Sequence, residues 1–268
     1  MTSQLEEGQP RWPVWYGPAA FVSAIIFTLI ALSVVHALIV AAGGHVTDNS
    51  PGFQLAGTLV QDAFLVGAAV LFASFVAPPK PWQFGLRGAP LGSTAKMAGL
   101  AMLAFYLFVA VYIAALHPHG SQSVAKDLGA DKGGIDMVLG AVLVVGVAPF
   151  AEEFFFRGFF YRALRSRCSV LVAAGIDGVV FGGIHYTDPK VLSLLPILMV
   201  LGFLFCLLYE RTGTLFATVA LHSINNAIAY AGTVDNSAAI SIGVGVAVVA
   251  GCVLTVRALP RRLTPVEP

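Results

Sequence analysis

Charged residues are scarce in this sequence: Asp, Glu, Lys and Arg make up 11% of its 268 residues, against 57% apolar. A soluble domain carries about 25% charged residues, so this chain cannot clothe a water-facing surface of its own and belongs in a bilayer. No basic excess exists either, since the net charge is +1, which removes nucleic acid as a partner. The three cysteines, Cys168, Cys206 and Cys252, lie in or beside apolar stretches. They offer neither a disulfide framework nor a CxxC metal site and are read as small core hydrophobes. HExxH, GxSxG and GxGD are all missing, as are internal repeats, low-complexity tracts and any sizeable soluble domain.

Present instead are apolar segments of membrane-crossing length, for which about 20 residues suffice. Eight qualify, giving an all-α, polytopic fold: Trp15 to Ala42, Gln54 to Ala77, Ser93 to Leu116, Asp136 to Tyr161, Cys168 to Tyr186, Lys190 to Tyr209, Thr214 to Ala231 and Ser237 to Leu259. The first follows the acidic Glu6 and Glu7 and is too long for a signal-peptide core, so no cleavage is expected. Arg11, Lys80, Arg87, Lys96, Arg162, Arg165, Arg167, Arg211, Arg257, Arg261 and Arg262 fall in the tails and the connections after segments two, four and six. Only Lys126, Lys132 and Lys190 fall in the others. The positive-inside rule then places both termini in the cytoplasm.

Polar residues deep in such spans carry the information. Segment four holds Glu152, Glu153 and Arg157 together, flanked by Phe150, Phe154, Phe155 and Phe156. Each unpaired charge at mid-membrane costs about 2.5 to 3.5 kcal/mol, so partners are required. Glu153 and Arg157 stand at i and i+4 in the favoured order for a helical ion pair, while Glu152 is turned about 100° away. A short turn around Cys168 makes segments four and five an antiparallel hairpin. Glu152 is then level with Ile184, next to His185, and Arg157 is level with residue 179, near Asp177. Arg157 is therefore expected to bridge Glu153 and Asp177. Segment seven adds His222 and Asn226 on one helix face. His36, Gln61 and Asp62 show no such pairing and are read as helix–helix hydrogen-bonding groups.

A carboxylate level with an imidazole, a cation, and a second imidazole beside an amide suit hydrolysis of a carbonyl. Glu152 can take a proton from a water held by His185, and His222 and Asn226 can donate to the developing oxyanion. No cofactor is then needed. The mechanistic alternative is a zinc ion held by Glu152, His185 and His222, two His and one Glu being a known catalytic set, although neither histidine has a visible carboxylate behind it. A different class of reading is a non-enzymatic immunity or scaffold protein, or a proton-coupled transporter using Glu152 and His185 as a relay. Paired broken-helix repeats, expected of a transporter, are absent.

The order Glu152-Glu153-x-x-x-Arg157-Gly158, Phe181-x-x-x-His185, and Gly213-Thr214-Leu215 ahead of His222-x-x-x-Asn226 resembles the three motifs of the CPBP family. That family contains CAAX prenyl proteases and bacterial proteins of bacteriocin processing or immunity. The resemblance covers roughly residues 136 to 231 and implies an intramembrane endopeptidase core. A cytoplasmic tail (1–14) and a three-helix membrane region (15–135) precede this core, and a last span with a cytoplasmic tail (232–268) follows it. It also implies that Glu152 and His185 activate water, that His222 and Asn226 form the oxyanion hole, and that Glu153, Arg157 and Phe181 support them. The partners implied are a peptide or membrane-protein substrate and the lipid bilayer. A bias toward Ala, Val and Gly suits a GC-rich bacterial genome, hence a bacterial cell membrane and an unmodified membrane-adjacent peptide rather than a prenylated CAAX substrate.

Overall fold

In the computed structural model, which describes residues 11–47, 50–118, 124–186 and 189–261, every regular element is helical. Glu6, Glu7 and Arg262 lie outside the described residues. Eight principal helices follow in order: α1 (Tyr16–Ala41), α2 (Pro51–Ser74), α3 (Leu91–Leu116), α4 (Gly134–Arg165), α5 (Val170–Gly183), α6 (Leu195–Thr212), α7 (Leu215–Thr233) and α8 (Ala238–Ala258). Local chemistry marks their ends. Pro51 opens α2, where a missing N–H is harmless. Ser169 caps α5 by accepting from the Val172 amide. Gly213, at φ 65°, ends α6 in the left-handed conformation that glycine adopts freely.

Eight crossings were expected, but only six helices among the described residues are long and apolar enough to span a bilayer; α5 and α7 are not among them. The reasons are physical. With 14 residues α5 rises about 21 Å, short of the roughly 30 Å hydrocarbon layer. The 19 residues of α7 suffice in length, but His222, Ser223, Asn225 and Asn226 dilute its apolar content. α7 carries His222 and His185 lies just past the end of α5, a helix that turns Leu171, Val172 and Val179 outward. Large side chains such as Leu29 and Leu38 of α1 and Val111 of α3 are exposed, as lipid-facing residues of an integral multi-pass membrane protein are.

The expected α4–α5 hairpin forms only in part. α5 meets the later turns of α4 but lies chiefly along α6. Glycines set that approach: a Cβ at Gly178 would come within 2.6 Å of the Met199 carbonyl oxygen, and one at Gly202 within 3.0 Å of the Gly178 Cα. Small residues are the usual means of bringing membrane helices together.

α4 is not uniform. It is α-helical over Gly134–Ala141, Ala148–Phe155 and Tyr161–Arg165, with π-helical turns at Val142–Val147 and Phe156–Phe160 between them. Such i→i+5 turns are rare and recur at functional sites. The segment between them carries Glu152 and Glu153. The connection between α3 and α4 contains a helical turn at Val124–Asp127 and a 3₁₀ turn at Ala130–Lys132.

Candidate active site

Glu153 is fully buried, and its Oε1 accepts two hydrogen bonds, from Arg157 Nη1 at 2.8 Å and from His222 Nδ1 at 3.0 Å. Arg157, equally buried, donates through Nη2 to the Gly202 carbonyl at 3.0 Å and stands 3.6 Å from Asp177 Oδ1. It thus lies between Glu153 and Asp177 while also fastening α4 to α6. The Phe181 ring covers it at 4.4 Å, a favourable arrangement for a desolvated cation. The same ring meets His222 edge-on at 5.7 Å and lies 5.1 Å from the His185 ring. Phe181 is therefore the common wall of both histidines.

The rings have defined roles. His185 Nδ1 donates to the Phe181 carbonyl at 2.8 Å, which leaves Nε2 as an acceptor. His222, whose Nδ1–H is committed to Glu153, turns Nε2 toward Glu152 Oε2 across 3.8 Å, too far for a direct hydrogen bond. Glu152 Oε2 is buried without a hydrogen-bond donor among the described residues. Asn226 donates through Nδ2 to the Val144 carbonyl at 2.9 Å, in the first π-helical turn of α4. An amide nitrogen carries two N–H groups, so a second remains for a ligand.

Glu152, His185, His222 and Asn226 line one cavity of about 290 Å³. A water occupies about 30 Å³ in the liquid, so there is room for a nucleophilic water and a peptide group. The four residues come from α4, from just past the end of α5, and from α7, three separate parts of the sequence.

Two features were missed in the sequence. Gln54, Thr58 and Gln61 of α2 line the same cavity, so α2 is part of the site and not merely a scaffold helix. Asp62 is buried on α2 within electrostatic range of Glu152. A run of polar residues one turn apart, from Gln54 through Thr58 to Gln61 and Asp62, was the available signal. His36, by contrast, packs its ring against Phe53 at 6.0 Å, away from the cavity.

No group of three or more His, Cys, Asp or Glu among the described residues is arranged to hold a metal ion. His222 nevertheless has a carboxylate behind it that the sequence did not reveal: its Nδ1 bonds Glu153, as the outer nitrogen of a zinc-bound imidazole does, while its Nε2 faces the cavity.

Residues 134–228 match the family model described as Rce1-like, type II CAAX prenyl endopeptidase. The match runs from the start of α4 through most of α7 and contains Glu152, Glu153, Arg157, Asp177, Phe181, His185, His222 and Asn226, but not the α2 residues that line the cavity. It places this segment in a family of CAAX endopeptidases, so the protein is a hydrolase of the protease class. No curated protein and no solved structure matches the chain.

Proposed function

We propose that the protein is an intramembrane endopeptidase that hydrolyses an unmodified peptide beside the membrane with a water activated by Glu152 and His185. His222 carries the reading: Glu153 holds its Nδ1 at 3.0 Å, so its Nε2 faces Glu152 inside the cavity shared with His185 and Asn226.

The steps follow from the atoms. A water between the Glu152 carboxylate and the His185 Nε2 lone pair gives its proton to Glu152 as its oxygen attacks the scissile carbonyl. Carrying its second proton, His222 donates from Nε2 to the developing oxyanion, and Asn226 donates its remaining N–H; one such donor is worth about 2.7 to 4 kcal/mol in a soluble protease. Glu152 then returns the proton to the leaving amine. Arg157, Asp177 and Phe181 act through Glu153 and the histidine rings, holding their orientation. Nothing in this sequence of steps calls for a metal.

A cleavage assay in membranes, on a peptide library or co-expressed candidate substrates, tests the proposal with Glu152→Ala and His222→Ala variants. Loss of product with both variants at wild-type expression is expected. Cleavage equal to wild type in both would overturn it.

A further inference from the structure

The cavity reaches only one end of the helix bundle. Gln54 in the first turn of α2, Asp127 in the helical turn before α4, and Thr233 at the end of α7 all belong to its wall. These residues adjoin the α1–α2, α3–α4 and α7–α8 connections, which lie together at one end. The connections at the opposite end, α2–α3, α4–α5 and α6–α7, contribute nothing to the lining.

That opposite end is also closed. Trp12, buried, packs tilted against Phe84 at 5.2 Å and Phe159 at 4.9 Å, and Phe84 stacks on Phe154 at 4.7 Å, one residue from Glu153. The connection carrying Phe84 is tied down by backbone and side chain alike. The Leu215 amide donates to the Gly85 carbonyl at 2.8 Å, Arg87 Nε donates to the Gly213 carbonyl at 2.5 Å, and Thr214 Oγ1 donates to the Arg87 carbonyl at 2.8 Å.

Charge tells the two ends apart. The sealed end holds Arg11, Lys80, Arg87, Lys96, three arginines at the α4–α5 turn, Arg211, Arg257 and Arg261, with Glu210 as its acid. The open end holds Lys126, Lys132 and Lys190 with Asp127, Asp131, Asp136 and Asp235 among the described residues. Lys and Arg flanking membrane helices are retained in the cytoplasm.

We propose that the catalytic cavity opens on the non-cytoplasmic face, so that the substrate is a polypeptide segment standing on that side of the membrane: an exported peptide or the outer flank of a membrane protein. This rests on the peptidase reading for the word substrate, and on the cavity's walls and the charge bias for the side. A peptide in the cytoplasm would meet the aromatic plug of Trp12, Phe84 and Phe159 instead of an entrance.

Cysteine labelling of the full chain in intact cells tests it. Cys168, Cys206 and Cys252 are replaced by serine or alanine, and single cysteines are introduced by Asp235→Cys and Thr58→Cys at the open end and by Lys80→Cys at the sealed end. A membrane-impermeant maleimide should label Asp235→Cys and Thr58→Cys without permeabilisation, and Lys80→Cys only after it. The reverse pattern overturns the proposal. If the cysteine-free background fails to fold, the wild-type chain with a C-terminal fluorescent-protein fusion reports the side of the tail after α8, which belongs to the sealed end, and an unfluorescent, exported fusion overturns the proposal equally. Labelling requires no proteolysis, so its failure is separable from that of the peptidase reading, which Glu152→Ala decides.

Discussion

Glu153 fixes His222: its buried Oε1 accepts from the ring Nδ1 at 3.0 Å while receiving Arg157 on the same oxygen. The adjacent acid, Glu152, holds no such bond: its Oε2 stands 3.8 Å from His222 Nε2 and has no hydrogen-bond donor among the described residues. Two neighbouring carboxylates are thereby given different tasks, one structural and one chemical, and they should respond differently to the same amide substitution.

Glu152→Gln should lower cleavage by about 10²- to 10⁴-fold, the range for a positioned general base, with the melting temperature in detergent unchanged or raised. The stability follows because an uncompensated buried charge is removed at constant shape. A large drop in melting temperature would instead mark Glu152 as a structural partner.

Arg157→Met should destabilise by about 3 to 5 kcal/mol, because it strands Glu153 and Asp177 as buried acids without their cation. Thermal unfolding followed by circular dichroism in detergent measures this. Adding Asp177→Asn and Glu153→Gln to the same chain should recover part of the stability and none of the cleavage.

Asn226→Ala should slow turnover by about 10²- to 10³-fold as an oxyanion donor is lost, with a stability cost of about 0.5 to 1.5 kcal/mol for the bond to Val144. Comparing kcat with KM separates the two effects, since the transition-state contact should appear in kcat.

Gly178→Ala places a methyl group 2.6 Å from the Met199 carbonyl oxygen. It should push α5 from α6 at a cost of about 1 to 3 kcal/mol and abolish cleavage by displacing Phe181 and His185. Gly175→Ala, on the same helix with open space around it, serves as the control and should behave as wild type.

Phenanthroline should leave cleavage unchanged in membranes where Glu152→Gln abolishes it. Inhibition that added zinc reverses would return Glu152, His185 and His222 to the role of ligands.

Much of the site could be read from spacing. Glu153 and Arg157 follow from helical periodicity, as do His222 and Asn226 on one face of α7. Asp177 stood out as an acid in an apolar stretch, and counting from the α4–α5 turn placed it near Arg157. The count of crossings could not be read so directly: the apolar stretch runs on to Tyr186, whereas α5 stops after 14 residues at the Gly182-Gly183 pair. The contribution of α2 was hidden for a related reason. Gln54, Thr58 and Gln61 fall in a helix whose one charged residue, Asp62, has no cation at i+4, and the packing of α2 against α4 is what turns them to the cavity and away from lipid.

The two wide turns of α4 have a consequence for how this chain tolerates insertion and deletion. Each accommodates one residue more than an ordinary turn, so the eight residues between them are phased independently of both ends of the helix. Removing a single residue from Val142–Val147 would return that turn to ordinary pitch and leave both acids nearly in phase, whereas removing one from the α-helical Ala148–Ala151 would turn them by about 100°. The wide turn is thus the place where this span can shorten without re-aiming its acids.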